Sequence, residues 1–176
     1  DREKSVDRVL LAFDRIAGTL GRVQLWLVGQ GKETEALRRL AGRLPAGDRV
    51  HFAGVRPHEG LAAWYQAADL FLFASETETQ GLVLAEAAAS GLPAVAVTAP
   101  GCDEVVRDGE TGILTKGDPA ALAEAAIGLL FDAQRRRAMG ARARQVASQE
   151  FGVDLQIART LDVYAEAGAG GLPRRG

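Results

Sequence analysis

One unit, Leu70 to Thr98, narrows the folds open to this chain more than any other stretch. Leu70-Phe71-Leu72-Phe73-Ala74 has the unbroken apolar character of a strand buried on both faces, and Ala94-Val95-Ala96-Val97 repeats it. Between them the polar turn Ser75 to Thr79 leads into a helix-forming run from about Gly81 to Ser90, which Gly91-Leu92-Pro93 stops. A strand, a helix and a second strand in that order make a parallel crossover unit. The same alternation runs through the chain. Strands are predicted near 23–28, 49–53, 70–74, 94–98 and 112–115, with helices at 6–19, 33–43, 59–68, 81–90, 118–131, 134–148 and 153–165. The predicted class is α/β: a parallel sheet with helices on both faces.

The helix of the central unit carries one anomaly. From Gly81 to Ala89 every residue is apolar or glycine except Glu86. A helix apolar on nearly all sides is buried, and a lone carboxylate there needs a hydrogen-bonding partner. Glu78 precedes the helix, with seven residues between the two carboxylates. Backbone N–H groups in the first helical turn lack intrahelical acceptors and favour an anion. Two glutamates around such a turn suit phosphate on one side and sugar hydroxyls on the other. The competing reading pairs Glu86 with an arginine from another element and leaves Glu78 solvated.

Ligands in parallel α/β sheets bind beyond the carboxyl ends of the strands. Gly29, Val55, Glu78 and Gly101 all fall at such ends. Gly29-Gln30-Gly31 follows a strand and permits close approach of a ligand, but Thr34 stands where a dinucleotide fingerprint has its third glycine. Lys4 lies just before the first helix. Trp64 and Tyr65 are expected in the core with Leu61 and Ala68. Asp118 and Pro119 form an N-cap and first helical residue. Arg135, Arg136, Arg137, Arg142 and Arg144 spread around a helix read as solvated.

Composition closes off several function classes. The 176 residues are 47% hydrophobic and 25% charged, with formal charge -2, which offers no support for a nucleic-acid partner. Cys102 is the one cysteine, so no intrachain disulfide forms. His51 and His58 lack partners at ligand spacing, and no Asp-x-Asp occurs, so no metal site and no cofactor are expected. Nothing places a base beside Cys102 to make it a nucleophile. No apolar run approaches about 18 residues, so no membrane-spanning helix is predicted. A cytoplasmic protein is expected.

The run Glu78-Thr79-Gln80-Gly81-Leu82-Val83-Leu84-Ala85-Glu86-Ala87, followed by Gly91-Leu92-Pro93-Ala94-Val95-Ala96, resembles the Glu-x7-Glu signature of retaining glycosyltransferases of the GT-B fold, family four. Glu3-Lys4-Ser5-Val6-Asp7-Arg8, Phe52-Ala53-Gly54-Val55 and Ala67-Ala68-Asp69-Leu70 resemble further segments of that family in the same order. Three departures stand out. Thr79 and Gln80 replace the family's glycine and phenylalanine, Pro100 replaces the first of two glycines, and the family's first strand with its arginine would lie before Asp1.

The resemblance implies one Rossmann-like lobe of a GT-B enzyme over residues 1–166, and the low-complexity run at 167–176 is read as a disordered tail. It implies a nucleotide-diphosphate sugar as donor substrate, bound for retaining transfer to an acceptor held by an N-terminal lobe, and little transfer by this lobe alone. Lys4 would contact the diphosphate and Glu78 the transferred sugar, giving these two the catalytic roles. Glu86 would take the ribose hydroxyls, Thr79, Gln80, Gly81 and Leu82 would present amides to the donor, and Gly29 and Val55 would lie beside the nucleotide. A lipid acceptor would bring the chain to the inner face of a membrane, and that peripheral contact stays open. Two rivals are a nucleotide-sugar 2-epimerase lobe and a non-catalytic nucleotide-sugar-binding module.

Overall fold

A computed structural model describes residues 4–152. The expected helix at 153–165, the lobe boundary at 166 and the tail at 167–176 lie outside the described residues. The elements run α1 (Val6–Leu20), β1 (Leu25–Val28), α2 (Thr34–Ala41), β2 (Val50–Gly54), α3 (His58–Ala67), β3 (Phe71–Phe73), α4 (Leu82–Ala89), β4 (Ala94–Val97), β5 (Gly112–Thr115), α5 (Pro119–Phe131) and α6 (Ala133–Glu150). A short 3-10 turn, Gly47–Arg49, precedes β2. All strand pairs are parallel, as the crossover pattern requires.

The three-stranded sheet β3-β4-β5 shows why its strands read as continuous apolar runs. Successive side chains point to opposite faces. Val95 and Val97 of β4 enter one core with Val9, Ala12 and Ile16 of α1 and Leu122, Ala126 and Leu129 of α5. Ala94 and Ala96 enter the other with Leu84 of α4, Cys102, Val105 and Val106. Leu72 and Ile113 follow the first face, Phe73 and Leu114 the second. Helices therefore cover both faces, and β4 is buried throughout. Burying one such valine stabilises the fold by roughly 1.5–3 kcal/mol.

Strands β1 and β2 form a separate two-stranded sheet. Among the described strands β1 pairs only with β2, and β3 only with β4, so the sheet is interrupted between β1 and β3. The resemblance puts its first strand centrally in the sheet, where this break falls. Helix α1 spans the interruption: Leu25 of β1 and Leu72 of β3 pack against its core, and Phe13 and Ala17 reach Val50 of β2.

Two expectations about helices need correction. Helix α3 has no fully buried residue; Leu61, Trp64 and Tyr65 are half-buried and Ala68 is exposed. The helix lies at the edge of both sheets: Tyr65 meets Phe71 of β3 edge-on at 5.8 Å, while Trp64 faces the aromatic side of β1. Trp64 lies 5.5 Å from Trp26, itself stacked on His51 at 4.3 Å, and the Arg56 guanidinium sits over Trp64 at 5.3 Å. The arginine helix α6 is not simply solvated either. Arg136 donates to the carbonyls of Leu129 and Leu130, both at 3.0 Å, and to Asp69 at 3.0 Å. It caps the C-terminus of α5, where carbonyls lack intrahelical partners. At the other end of α5, Asp118 accepts from the amides of Ala120 and Ala121, as its position before Pro119 predicts.

Candidate functional site

The carboxyl end of β3 runs through buried Phe73, Ala74 and Ser75 into the loop that carries Glu78. Gly81 ends this loop in the left-handed conformation (φ 61), so it is the N-cap of α4 and not, as the spacing suggests, part of the first turn. A Cβ on Gly81 would lie 2.4 Å from the Gly101 carbonyl oxygen, and one on Gly101 would lie 2.9 Å from the Glu78 carbonyl oxygen. The loops after β3 and β4 are thus interlocked through two glycines, both with positive φ. Only a residue without Cβ fits either place at this spacing.

Lys4 reaches the same loop from the start of α1. Ser5 between them has φ 45, the one positive value at a non-glycine among the described residues, and turns the chain immediately before the helix. The Lys4 ammonium lies 3.1 Å from Glu78 Oε2 and 5.8 Å from the centre of the Phe73 ring. The other Glu78 oxygen, Oε1, accepts from the amides of Thr79 at 3.2 Å, Gln80 at 3.5 Å and Gly81 at 3.3 Å. The Glu78 side chain is 13% exposed, so the solvated reading of it is overturned. Burial alone would raise its pKa; the hydrogen bond and charge of Lys4, with the amides of Gln80 and Gly81, outweigh this and hold the carboxyl below its ordinary value.

An anion therefore already sits among the ammonium of Lys4 and the amides before α4, and it is the protein's own. Glu86, on α4, has the partner that a lone carboxylate on an apolar helix demands. That partner is Tyr65 of α3, whose hydroxyl donates to Glu86 Oε2 at 2.9 Å, and not an arginine. Burial first, then the hydrogen bond and charge of Glu86, push the Tyr65 phenol far up, so the phenol remains a donor. Leu82 opens α4 with its side chain 62% exposed. Lys4, Glu78, Thr79, Gln80 and Gly81 are thus joined directly, with Leu82 and Glu86 on the adjoining helix.

Gly29 and Val55 form a second group on the other sheet. The Gly29 amide donates to the Gly54 carbonyl at 2.9 Å, which places both residues at the carboxyl ends of β1 and β2, with Val55 70% exposed. Cys102 is fully buried, and burial pushes its thiol up to about 11, which suits a core residue and not a nucleophile. Among the described residues, no cluster of three or more His, Cys, Asp or Glu side chains is close enough to hold a metal ion. No described helix is long and apolar enough to cross a membrane. Sequence reasoning missed the Tyr65 partner because the two residues meet through helix packing, and it missed a second ion pair beside the first, Arg8 with Glu76. Their spacing from Lys4 and Glu78 was the available signal.

A parallel sheet covered by helices on both faces, with a cation and backbone amides gathered around a carboxylate at its strand ends, defines an α/β domain of the type that binds ligands beyond the carboxyl ends of its strands. The model of the family described as Glycosyl transferases group 1 matches residues 1–146. The chain belongs to that family. It is 38% identical over 168 residues to D-inositol 3-phosphate glycosyltransferase 1 of Catenulispora acidiphila, covering 95% of this chain and 38% of the relative. It is 36% identical to N-acetyl-alpha-D-glucosaminyl L-malate synthase of Bacillus anthracis, over 92% of this chain and 42% of the relative. Among solved structures, Anabaena Alr3699/HepE in complex with UDP superposes with TM-score 0.81 at 31% identity, over 93% of this chain and 46% of that one. Sucrose-phosphate synthase of Thermosynechococcus elongatus gives TM-score 0.88 at 30% identity, over 97% and 44%. The fold is that of one GT-B lobe, and the chain spans less than half the length of each of these relatives.

Proposed function

We propose that this chain is the donor-binding lobe of a retaining glycosyltransferase that uses a nucleotide-diphosphate sugar, a UDP-sugar first among the candidates. The observation that carries the reading is the seat of the Glu78 carboxylate, which bridges Lys4 and the amides of Thr79, Gln80 and Gly81. Groups that stabilise one partly buried anion so densely are suited to a diphosphate. A solved relative at 31% identity has UDP-glucose bound, which favours uridine as the base.

In this reading the donor diphosphate draws Lys4 and the amides away from Glu78, and the freed carboxylate accepts hydrogen bonds from the sugar hydroxyls. Glu86 keeps Tyr65 on one oxygen and offers the other to the ribose. Gly29 and Val55 flank the base. Lys4, the loop amides and the Leu82 amide at the start of α4 stabilise the charge that develops on the leaving diphosphate, with no metal required of the protein. The acceptor would come from a separate lobe, and retention of anomeric configuration is inherited from the family resemblance. Contact with a membrane would follow only if the acceptor is a lipid.

Calorimetric titration with UDP, GDP and ADP, beside a Glu86→Ala variant and with and without EDTA, tests this. The expected result is binding of UDP that the variant weakens by about 10-fold or more and that EDTA leaves unchanged. A folded chain that binds none of the three nucleotides would overturn the reading.

A further inference from the structure

Two ion pairs lie side by side between the start of α1 and the loop after β3. Lys4 pairs with Glu78, and Arg8, four residues further on, pairs with Glu76, two residues earlier. The Arg8 nitrogen Nη1 that meets Glu76 Oε1 also donates to the Gly117 carbonyl at 2.9 Å. Gly117 belongs to the loop between β5 and α5. A Cβ there would lie 2.4 Å from Glu76 Oε1 and 2.8 Å from Arg8 Nη1, so this glycine leaves room for the pair. One guanidinium therefore ties together the first turn of α1, the loop bearing Glu78 and the loop after β5.

We propose that Arg8 is a positioning residue: its contacts with Glu76 and the Gly117 carbonyl hold the Glu78 loop in register with α1 while the donor parts Lys4 from Glu78. The assignment rests on the donor-lobe reading above. The argument is one of exclusion between charges. The amides of Thr79, Gln80 and Gly81 each have one hydrogen and already give it to Glu78. A diphosphate therefore takes them only once the Glu78 carboxylate has swung off them and its pair with Lys4 has opened. Among the described residues that pair is one of two ion pairs between the start of α1 and the loop. Neither Arg8 nor Glu76 hydrogen-bonds to those amides or to Lys4 among the described residues, so nothing in donor binding requires their pair to open. An exposed ion pair contributes little to global stability. Its effect here is on where the loop stands once the neighbouring pair is broken.

The test uses the 176-residue chain, with UMP and UDP as probes. UMP lacks the second phosphate that competes for Lys4 and the loop amides. Arg8→Met, Glu76→Gln and Gly117→Ala each undo the clamp by a different route, and Gly117→Ala retains both charges. Each is expected to weaken UDP binding by about 3- to 5-fold and to leave UMP binding unchanged. Amide hydrogen exchange over 76–80 in the free chain should quicken in all three. Arg8→Lys, which can still reach Glu76, should recover part of the UDP affinity. Parental UDP affinity in all three variants, or equal losses for UMP and UDP, would overturn the clamp while sparing the donor-lobe reading. An unmodified chain that binds neither nucleotide overturns both.

Discussion

The Tyr65 hydroxyl donates to Glu86 across the packing of α3 against α4, at 2.9 Å. It fixes one oxygen of the only carboxylate on an otherwise apolar helix, and the proposed function assigns the other to the ribose. Tyr65→Phe is therefore expected to cost about 1 kcal/mol of stability, the net value of one hydrogen bond. UDP affinity should fall by about 3- to 10-fold, since Glu86 loses its orientation but keeps its charge. Urea unfolding and calorimetry on the same preparation measure the two effects. Unchanged affinity with lowered stability would make Tyr65 a purely structural partner.

Glu78 predicts a pH dependence with a definite sign. Its folded pKa lies below its ordinary value, so its contribution to stability is present above the unfolded value and is lost as pH falls through the folded one. The unfolded value is about 4.3. Glu78→Gln should thus be less stable than the parent by a constant amount from neutral pH down to about pH 5, and the difference should close as the pH falls below about 4. Urea midpoints of both proteins between neutral pH and pH 3 provide the check. A difference that persists at low pH would show that size or packing, not charge, is responsible.

Gly81 and Gly101 hold two loops in contact that no side chain could share. Gly81→Ala places a Cβ 2.4 Å from a backbone oxygen at a residue whose φ is 61. The left-handed conformation alone costs about 1–2 kcal/mol, and the backbone contact should bring the loss to about 2–4 kcal/mol. Gly109→Ala is the control, because its φ is 76 but nothing lies within 4 Å of its Cβ. Denaturant unfolding should rank Gly81→Ala as clearly the more damaging of the two.

Arg136 should stand apart from its neighbours on α6. Its side chain is 14% exposed and satisfies two carbonyls at the end of α5 together with Asp69. Arg136→Ala is expected to destabilise the chain by about 1–3 kcal/mol, since two part-buried carbonyls lose their donor. Arg135→Ala, at an exposed position, should stay within about 0.5 kcal/mol of the parent. Equal losses would show that the cap on α5 does not set Arg136 apart from its neighbours.

The fold class was legible in the sequence because both of its signals are local. Continuous apolar runs of strand length mark β3 and β4 as buried on both faces, and the intervening helices force parallel pairing. Asp118 before Pro119 gave the start of α5 for the same reason. Glu86 was legible as a carboxylate that needs a partner, since an apolar helix around a charge is a local contradiction, and Glu78 as a second carboxylate in the turn before it. Their partners were not. Tyr65 lies 21 positions from Glu86 and Lys4 lies 74 from Glu78, so each pair is set by how helices and loops pack and not by any spacing along the chain. The same holds for Trp64, predicted inward by helical periodicity and found beside Trp26 at the flank of the smaller sheet. Periodicity says which face of a helix is apolar; the neighbour it meets is fixed by tertiary packing. The sequence by itself determined a parallel α/β lobe with an anion-seeking turn after its third strand. Only the tertiary structure decided that Glu78 fills that turn and that Arg8 ties it to α1, because both depend on contacts between distant segments, which side-chain pattern does not encode.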